Sequence, residues 1–260
     1  MKETHIREKM KAELRNPILI EGLPGLGMVG RIATRYLARQ LKAKKLAELY
    51  SPHFPYYVLV NKKGGVRLLH GDFFFSKDKT RESDIIFLTG DRQAQTIEGQ
   101  YDIAGVILDF AEKYDVKLIV TIGGYRKEPE ETPQVVAIST NPQLLNRALK
   151  ANAISSTTGS PIVGTAGLLL GLAKFRNMDA LCLLGETRGY MPDPKAAKSV
   201  LHVLQKMLGF EADLSRLDEE IEESERIVKR MREIEKQRET YAEKARRTEE
   251  ERITYISQRH

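Results

Sequence analysis

The sequence predicts an α/β fold: a mainly parallel, mixed sheet covered by helices on both faces, with a long C-terminal helix appended. Three observations lead there. Short, predominantly apolar runs such as ILI at 18–20, DIIFL at 84–88, LIVTI at 118–122 and ALCLL at 180–184 read as strands buried on both faces. Segments with helical periodicity separate them. Glycines cluster at the C-terminal ends of the apolar runs, where α/β sheets make their tight strand-to-helix turns.

Taken in order, residues 2–15 place Ile6, Met10 and Leu14 at i, i+4 and i+8, and an amphipathic helix is expected before Pro17. A strand at 18–20 runs into Gly22–Gly30 (GLPGLGMVG) and then a helix over 31–41. Residues 56–60, 66–69 and 72–75 read as strands, with Lys63-Gly64-Gly65 as a hairpin turn. Strand 84–88 is followed by a long helix over 96–114, then strand 118–122 ending at Gly123-Gly124, and a strand over 135–139. Asn141 and Pro142 supply an N-cap and N1 pair for the next helix. A small-residue apolar helix spans 166–174 and the last strand 180–184. The helix over 194–208 has Asp193 as N-cap, Pro194 at N1 and Gly209 as its C′ residue.

All 19 glycines and all 10 prolines lie at or before Gly209. Residues 210–260 hold 15 acids and 12 bases, a net −3, whereas residues 1–209 hold 21 acids and 30 bases, a net +9. Two parts are therefore expected: an α/β core over 1–209 and a charged helical extension over 210–260. In the extension, Leu214, Leu217, Ile221, Val228 and Met231 fit a heptad seam, with Ser224 in one slot and Ile227 and Ile234 widening the stripe. Fully helical, those 51 residues would reach about 75 Å at 1.5 Å per residue. The expected arm packs near its root and projects further out.

Several function classes are disfavoured. No apolar run approaches membrane-spanning length, and the mean hydropathy is −0.39. The N-terminus is charged and lacks an apolar core, so no secretory signal is expected. Cys182 is the single cysteine, which leaves no intrachain disulfide and points to the cytoplasm. His5, His53, His70, His202 and His260 have no metal-ligand spacing, so neither metal nor cofactor is expected. Cys182 within ALCLL reads as a small buried hydrophobe. There is no G-x-S-x-G elbow, and Gly159-Ser160 is followed by proline rather than a helix. The basic charge of the core is spread along the chain without an aromatic-basic motif, which disfavours nucleic acid. Phe73–Phe75 reads as strand core or a subunit interface.

Three motifs carry the remaining chemistry. Gly25, Gly27 and Gly30 match G-x-G-x-x-G after a strand and before a helix, the pattern that lets backbone approach a pyrophosphate. Glu48 has about the spacing of the ribose-binding acid, but Ala43–Leu49 does not read as an apolar strand, and a tight β-to-α turn is the simpler reading. Gly123 and Gly124 with Arg126 would suit an anion, or a plain turn with a surface arginine. Glu186 and Asp193 could pair catalytically, but no histidine stands nearby in sequence and Asp193 already serves as an N-cap.

Five segments together resemble the proteasome assembly chaperone family, especially its archaeal members. They are Gly22–Gly30, Thr89–Gln95 (TGDRQAQ) with Gly99–Tyr101, Thr121–Tyr125 (TIGGY), Gly167–Ala173 (GLLLGLA) and Leu183–Ala197 (LLGETRGYMPDPKAA). The resemblance spans residues 17–210. It implies a fold like that of nucleoside phosphorylases, no enzymatic activity, ring-like, tetrameric or pentameric homo-oligomers, and the proteasome α-ring or its subunits as partner. Some family tails end in a hydrophobic-tyrosine-any motif that enters pockets between α-subunits. Here Tyr255 follows Thr254 and precedes five further residues, so another client is an equal expectation. A non-enzymatic oligomeric chaperone or adaptor is the expected function, with Leu214, Leu217, Ile221, Val228, Met231, Ile234 and Tyr255 as its contact residues. The alternative is a nucleotide- or nucleoside-binding enzyme or sensor built on Gly25–Gly30.

Overall fold

The computed structural model describes residues 1–62, 64–78, 80–128, 132–227 and 229. Residues 1–217 form one compact unit and 218–260 a second. In the first, eleven strands and five α-helices follow one another as β1 (His5–Glu8), β2 (Ile18–Glu21), α1 (Val29–Gln40), β3 (Lys44–Tyr50), β4 (Val58–Val60), β5 (Val66–Leu68), β6 (Gly71–Ser76), β7 (Ile85–Gly90), α2 (Ile97–Lys113), β8 (Leu118–Arg126), β9 (Val135–Ser139), α3 (Pro142–Lys150), β10 (Ile154–Ser155), α4 (Thr165–Ala173), β11 (Asp179–Thr187) and α5 (Pro194–Leu208).

Nine strands make one sheet in the order β1-β3-β6-β7-β2-β8-β11-β9-β10, and β4 and β5 form a separate hairpin. The four central strands β7, β2, β8 and β11 run parallel. Antiparallel joints carry the sheet outward at β6–β7, β3–β6 and β1–β3 on one side and at β11–β9 on the other. The α/β class holds, with parallel pairing in the four central strands and again in the short β9–β10 pair at the far edge.

Alternate residues of each central strand enter different cores. Ile20, Phe87, Val120, Ile122, Leu181 and Leu183 meet α1 and α5. Leu19, Ile86, Leu88, Ile119 and Cys182 meet α2 and α4 on the other face. This explains the uninterrupted apolar runs: a strand covered on both sides has no solvent face. Phe73 is fully buried 4.4 Å from the Phe110 ring and Phe75 is buried on the same face, so these two are strand core, whereas Phe74 points to the α1 face and is half-buried.

Local signals placed most helix ends. The Asn141 Oδ1 accepts from Gln143 N at 2.8 Å, Asp193 Oδ1 accepts from Ala196 N at 2.9 Å, and Gly209 closes α5 at φ 68°. Three expectations are corrected. Residues 5–8 form an edge strand antiparallel to β3 rather than a helix. The helical spacing there rests on three residues, and the open edge of β3 offers backbone partners that an isolated short helix lacks. Ala43–Leu49, read as no strand, is strand from Lys44 on, as part of β3, where Leu46, Ala47 and Leu49 are fully buried. The core also continues past Gly209: Phe210, Leu214 and Leu217 pack with α1 and α5 residues, and Tyr36 Oη donates to Asp213 O at 2.9 Å. The compact unit therefore ends at Leu217.

Candidate functional site

The glycine loop after β2 approaches the ends of β8 and β11, and every close approach there is made by the protein itself. A Cβ on Gly30 would lie 2.2 Å from Ile122 O, one on Gly124 2.6 Å from Leu26 O, and one on Gly27 2.4 Å from Thr187 Oγ1. Gly22 meets Gly30 O at 2.2 Å in the same way. These glycines let α1 and the loop lie directly on the sheet. The absence of a Cβ at these glycines is thus required by contacts within the chain, with backbone and Thr187. Gly123 and Gly124 sit inside β8, and Arg126 is the exposed last residue of that strand. The expected ligand loop thus assembles in space, but as a packing joint. Gly25 alone has an ordinary neighbour, Gln93 Nε2 at 3.7 Å. Glu48 cannot serve this loop, because β6 and β7 separate β3 from β2.

Polar side chains lock the surrounding loops. Glu186 is fully buried and accepts from Tyr125 Oη at 2.6 Å, Lys127 Nζ at 2.6 Å and Gln134 N at 2.9 Å. Burial opposes its charge, yet these partners, Lys127 first, hold its carboxyl below the ordinary value. Asp193 accepts from Thr187 Oγ1 at 2.8 Å as well as capping α5. Glu186 and Asp193 are therefore both committed to structure. Sequence reasoning missed Gln93: its Nε2 donates to Pro24 O at 2.8 Å, and its Oε1 accepts from Thr165 N at 3.1 Å. It ties the glycine loop to the start of α4, whose own N-cap, Gly164, has no side chain to offer. Gln100 joins this lock, accepting from Thr165 Oγ1 at 2.7 Å.

Other chemistry is equally tied down. Cys182 is buried, and desolvation pushes its thiol up to about 12, the behaviour of a packing residue. Glu48, His70 and Asp72 bring potential ligand atoms within 4.8 Å of one another, but Lys9 lies 2.8 Å and Lys45 3.2 Å from Glu48, Lys45 also pairs with Asp72, and His70 Nε2 lies 3.1 Å from Asp72. The lysines supply the positive charge that a metal would bring. Glu21 is the exception in this region. Its Oε1 accepts from Leu23 N at 2.8 Å, Oε2 has no partner, and burial raises its pKa to about 7.

Exposed apolar surface gathers on the β4–β5 hairpin. Val58, Val60, Val66 and Leu68 are 46–69% exposed, and Tyr56 beside them is fully exposed. An apolar two-stranded hairpin is marginal alone in water, and such patches mark contact surfaces.

Of the expected contact residues, Leu214 and Leu217 belong to the core and are unavailable to a partner. In the second unit, residues 218–227 are helical, Ile221 is half-buried and Ile227 is 45% exposed. Val228, Met231, Ile234 and Tyr255 lie outside the described residues. Among the described residues, no helix is long and apolar enough to cross a membrane.

The model of the PAC2 family matches residues 19–232. Among solved structures, the chain is similar to Pyrococcus furiosus PbaB, an archaeal proteasome activator: 40% identity, TM-score 0.85, covering 89% of this chain and all of that one. It is also similar to Pyrococcus furiosus PbaA, an archaeal homolog of proteasome-assembly chaperone: 29% identity, TM-score 0.71, covering 88% of this chain and 96% of that one. An uncharacterized protein of Methanocaldococcus jannaschii, MJ1210, is 33% identical over 226 residues, 86% of each chain.

Proposed function

This chain belongs to the PAC2 family, and on that premise we propose that it is a non-enzymatic oligomeric adaptor that works on the proteasome in the cytoplasm. Its C-terminal helical segment engages proteasome α-subunits or another client protein. The observation that carries this reading is the contrast between the two units. The body commits its glycine loop and the polar groups Glu186, Asp193 and Gln93 around it to internal packing, whereas the segment from residue 218 is glycine-free, rich in charge and keeps Ile227 exposed. The likeness to a proteasome activator over 89% of the chain supports the choice of partner. Homo-oligomers would cover the apolar β4–β5 hairpin.

The direct test combines the full chain with purified archaeal 20S proteasome. Co-sedimentation and peptide hydrolysis are measured, and the free chain is weighed by light scattering. The expected result is an oligomer that binds the proteasome and loses it on removal of residues 218–260, a cut that leaves the compact unit entire. Ile227→Asp should weaken the same interaction in the full-length chain. A monomer, or binding indifferent to both changes, overturns the reading.

A further inference from the structure

The outward side of α1 carries a feature that neither packing nor the proposed adaptor role uses. Arg31, Arg35 and Arg39 recur at i, i+4 and i+8 and so share one stripe. With Lys42 they form one wall of a cleft of about 470 Å³. Opposite stand Phe74 and Asp72 of β6, Thr89 and Gly90 at the end of β7, and Asp91 with Arg67 beyond it. That volume suits a small molecule.

The charges in the cleft do not balance. Asp72 is paired with Lys45 and His70, and Asp91 with Arg67 at 2.6 Å. Arg31, Arg35, Arg39 and Lys42 have no carboxylate within 4.0 Å among the described residues. Desolvation, then the neighbouring Arg39 and Arg31, lowers the pKa of Arg35. Holding like charges together costs free energy that a bound anion would return. A second, independent sign is Thr89. It is 5% exposed, its Oγ1 has no hydrogen-bond partner, and it lines this cleft. Its register opposite Asp72 and two residues beyond Phe87 puts it on the α1 face. A buried hydroxyl left without a partner is costly.

We propose that this cleft is a binding site for a small organic phosphate carrying at least two negative charges. Its phosphate groups lie across Arg31, Arg35 and Arg39 and accept from Thr89 Oγ1. Its uncharged part rests on Phe74 and Ala38. Arginine favours this chemistry because its planar fork donates to two phosphate oxygens at once. Asp72 and Asp91 disfavour a flood of charge and select for a compact anion. The proposal is independent of proteasome binding.

Calorimetric titration of the full-length chain at 0.15 M salt tests it, with pyrophosphate and adenosine diphosphate as probes and a hexaglutamate peptide as comparison. One saturable site per chain is expected for pyrophosphate, with tighter binding of adenosine diphosphate, whose nucleoside adds contact with Phe74 and Ala38. Arg35→Met should weaken binding about tenfold or more, Thr89→Val by a smaller factor, and Lys150→Gln, on the exposed end of α3, not at all. Absence of saturable binding by either phosphate probe overturns the proposal. So does hexaglutamate binding as tightly, or Lys150→Gln weakening binding as much as Arg35→Met, because general charge attraction then accounts for it.

Discussion

The glycine loop after β2 and the β4–β5 hairpin both carry glycines in turns, yet they treat them in opposite ways. In the loop, a methyl group on Gly22, Gly27 or Gly30 would overlap atoms of the chain at 2.2–2.4 Å. In the hairpin, a methyl group on Gly64 meets nothing within 4 Å, and the demand is only for φ +78°. One region uses glycine to bring a helix onto a sheet, the other to turn two strands. The first is held by close packing within the chain. The second holds its apolar side chains in solvent, where another molecule can take them up.

The sharpest way to break this contrast is to add one methyl group to each. Gly30→Ala should cost about 3 kcal/mol or more, since the obstacle is the Ile122 carbonyl rather than a side chain that can swing away. Gly64→Ala should cost about 1 kcal/mol for its left-handed backbone. Denaturant melts of the two variants compare them directly, and equal losses would contradict the packing role of the loop.

A smaller effect tests the closed region by pH. Glu21 keeps its proton in the folded chain up to about pH 7, whereas in the unfolded chain it releases it near the ordinary 4.5. The folded state therefore binds more protons between those values, and stability falls as pH rises through that window. The loss reaches up to about 3 kcal/mol above pH 7. Glu21→Gln keeps an acceptor for Leu23 N and removes the titration, so the variant should gain on the parent at pH 8 and not at pH 4. Unchanged pH dependence in paired melts would mean that the site is wetter than its burial implies.

The least costly change addresses the open region. Val60→Ser with Leu68→Ser removes apolar groups that are already in water, so each should alter stability by no more than about 0.5 kcal/mol. The same pair should lower the mass of the oligomer in light scattering if the hairpin is a subunit contact. An unchanged mass would move that contact elsewhere.

What was legible in the sequence was whatever neighbouring residues settle among themselves. The caps Asn141 and Asp193, the helix stop at Gly209 and the buried strands of the central sheet follow from side chains a few positions apart and from a pattern covered on both faces. The family resemblance was carried by the same segments. The candidate site was less legible. The G-x-G-x-x-G spacing located a real loop, but its close packing depended on Ile122 and Thr187, about 90 and 160 residues away. The lock made by Gln93 and Thr165 spans 72 residues and leaves no local pattern.

The sequence by itself determined the α/β class, the order of most elements and the change of character near Gly209, because propensity, capping and hydrophobic period act over one or two turns of chain. Only the tertiary structure decided that residues 5–8 join β3 as a strand, that Leu214 and Leu217 close the core, and that arginines of α1 face Thr89 across a cleft. Each of those outcomes depends on which distant surface is left open to be covered, and that is set by the packing of the whole sheet.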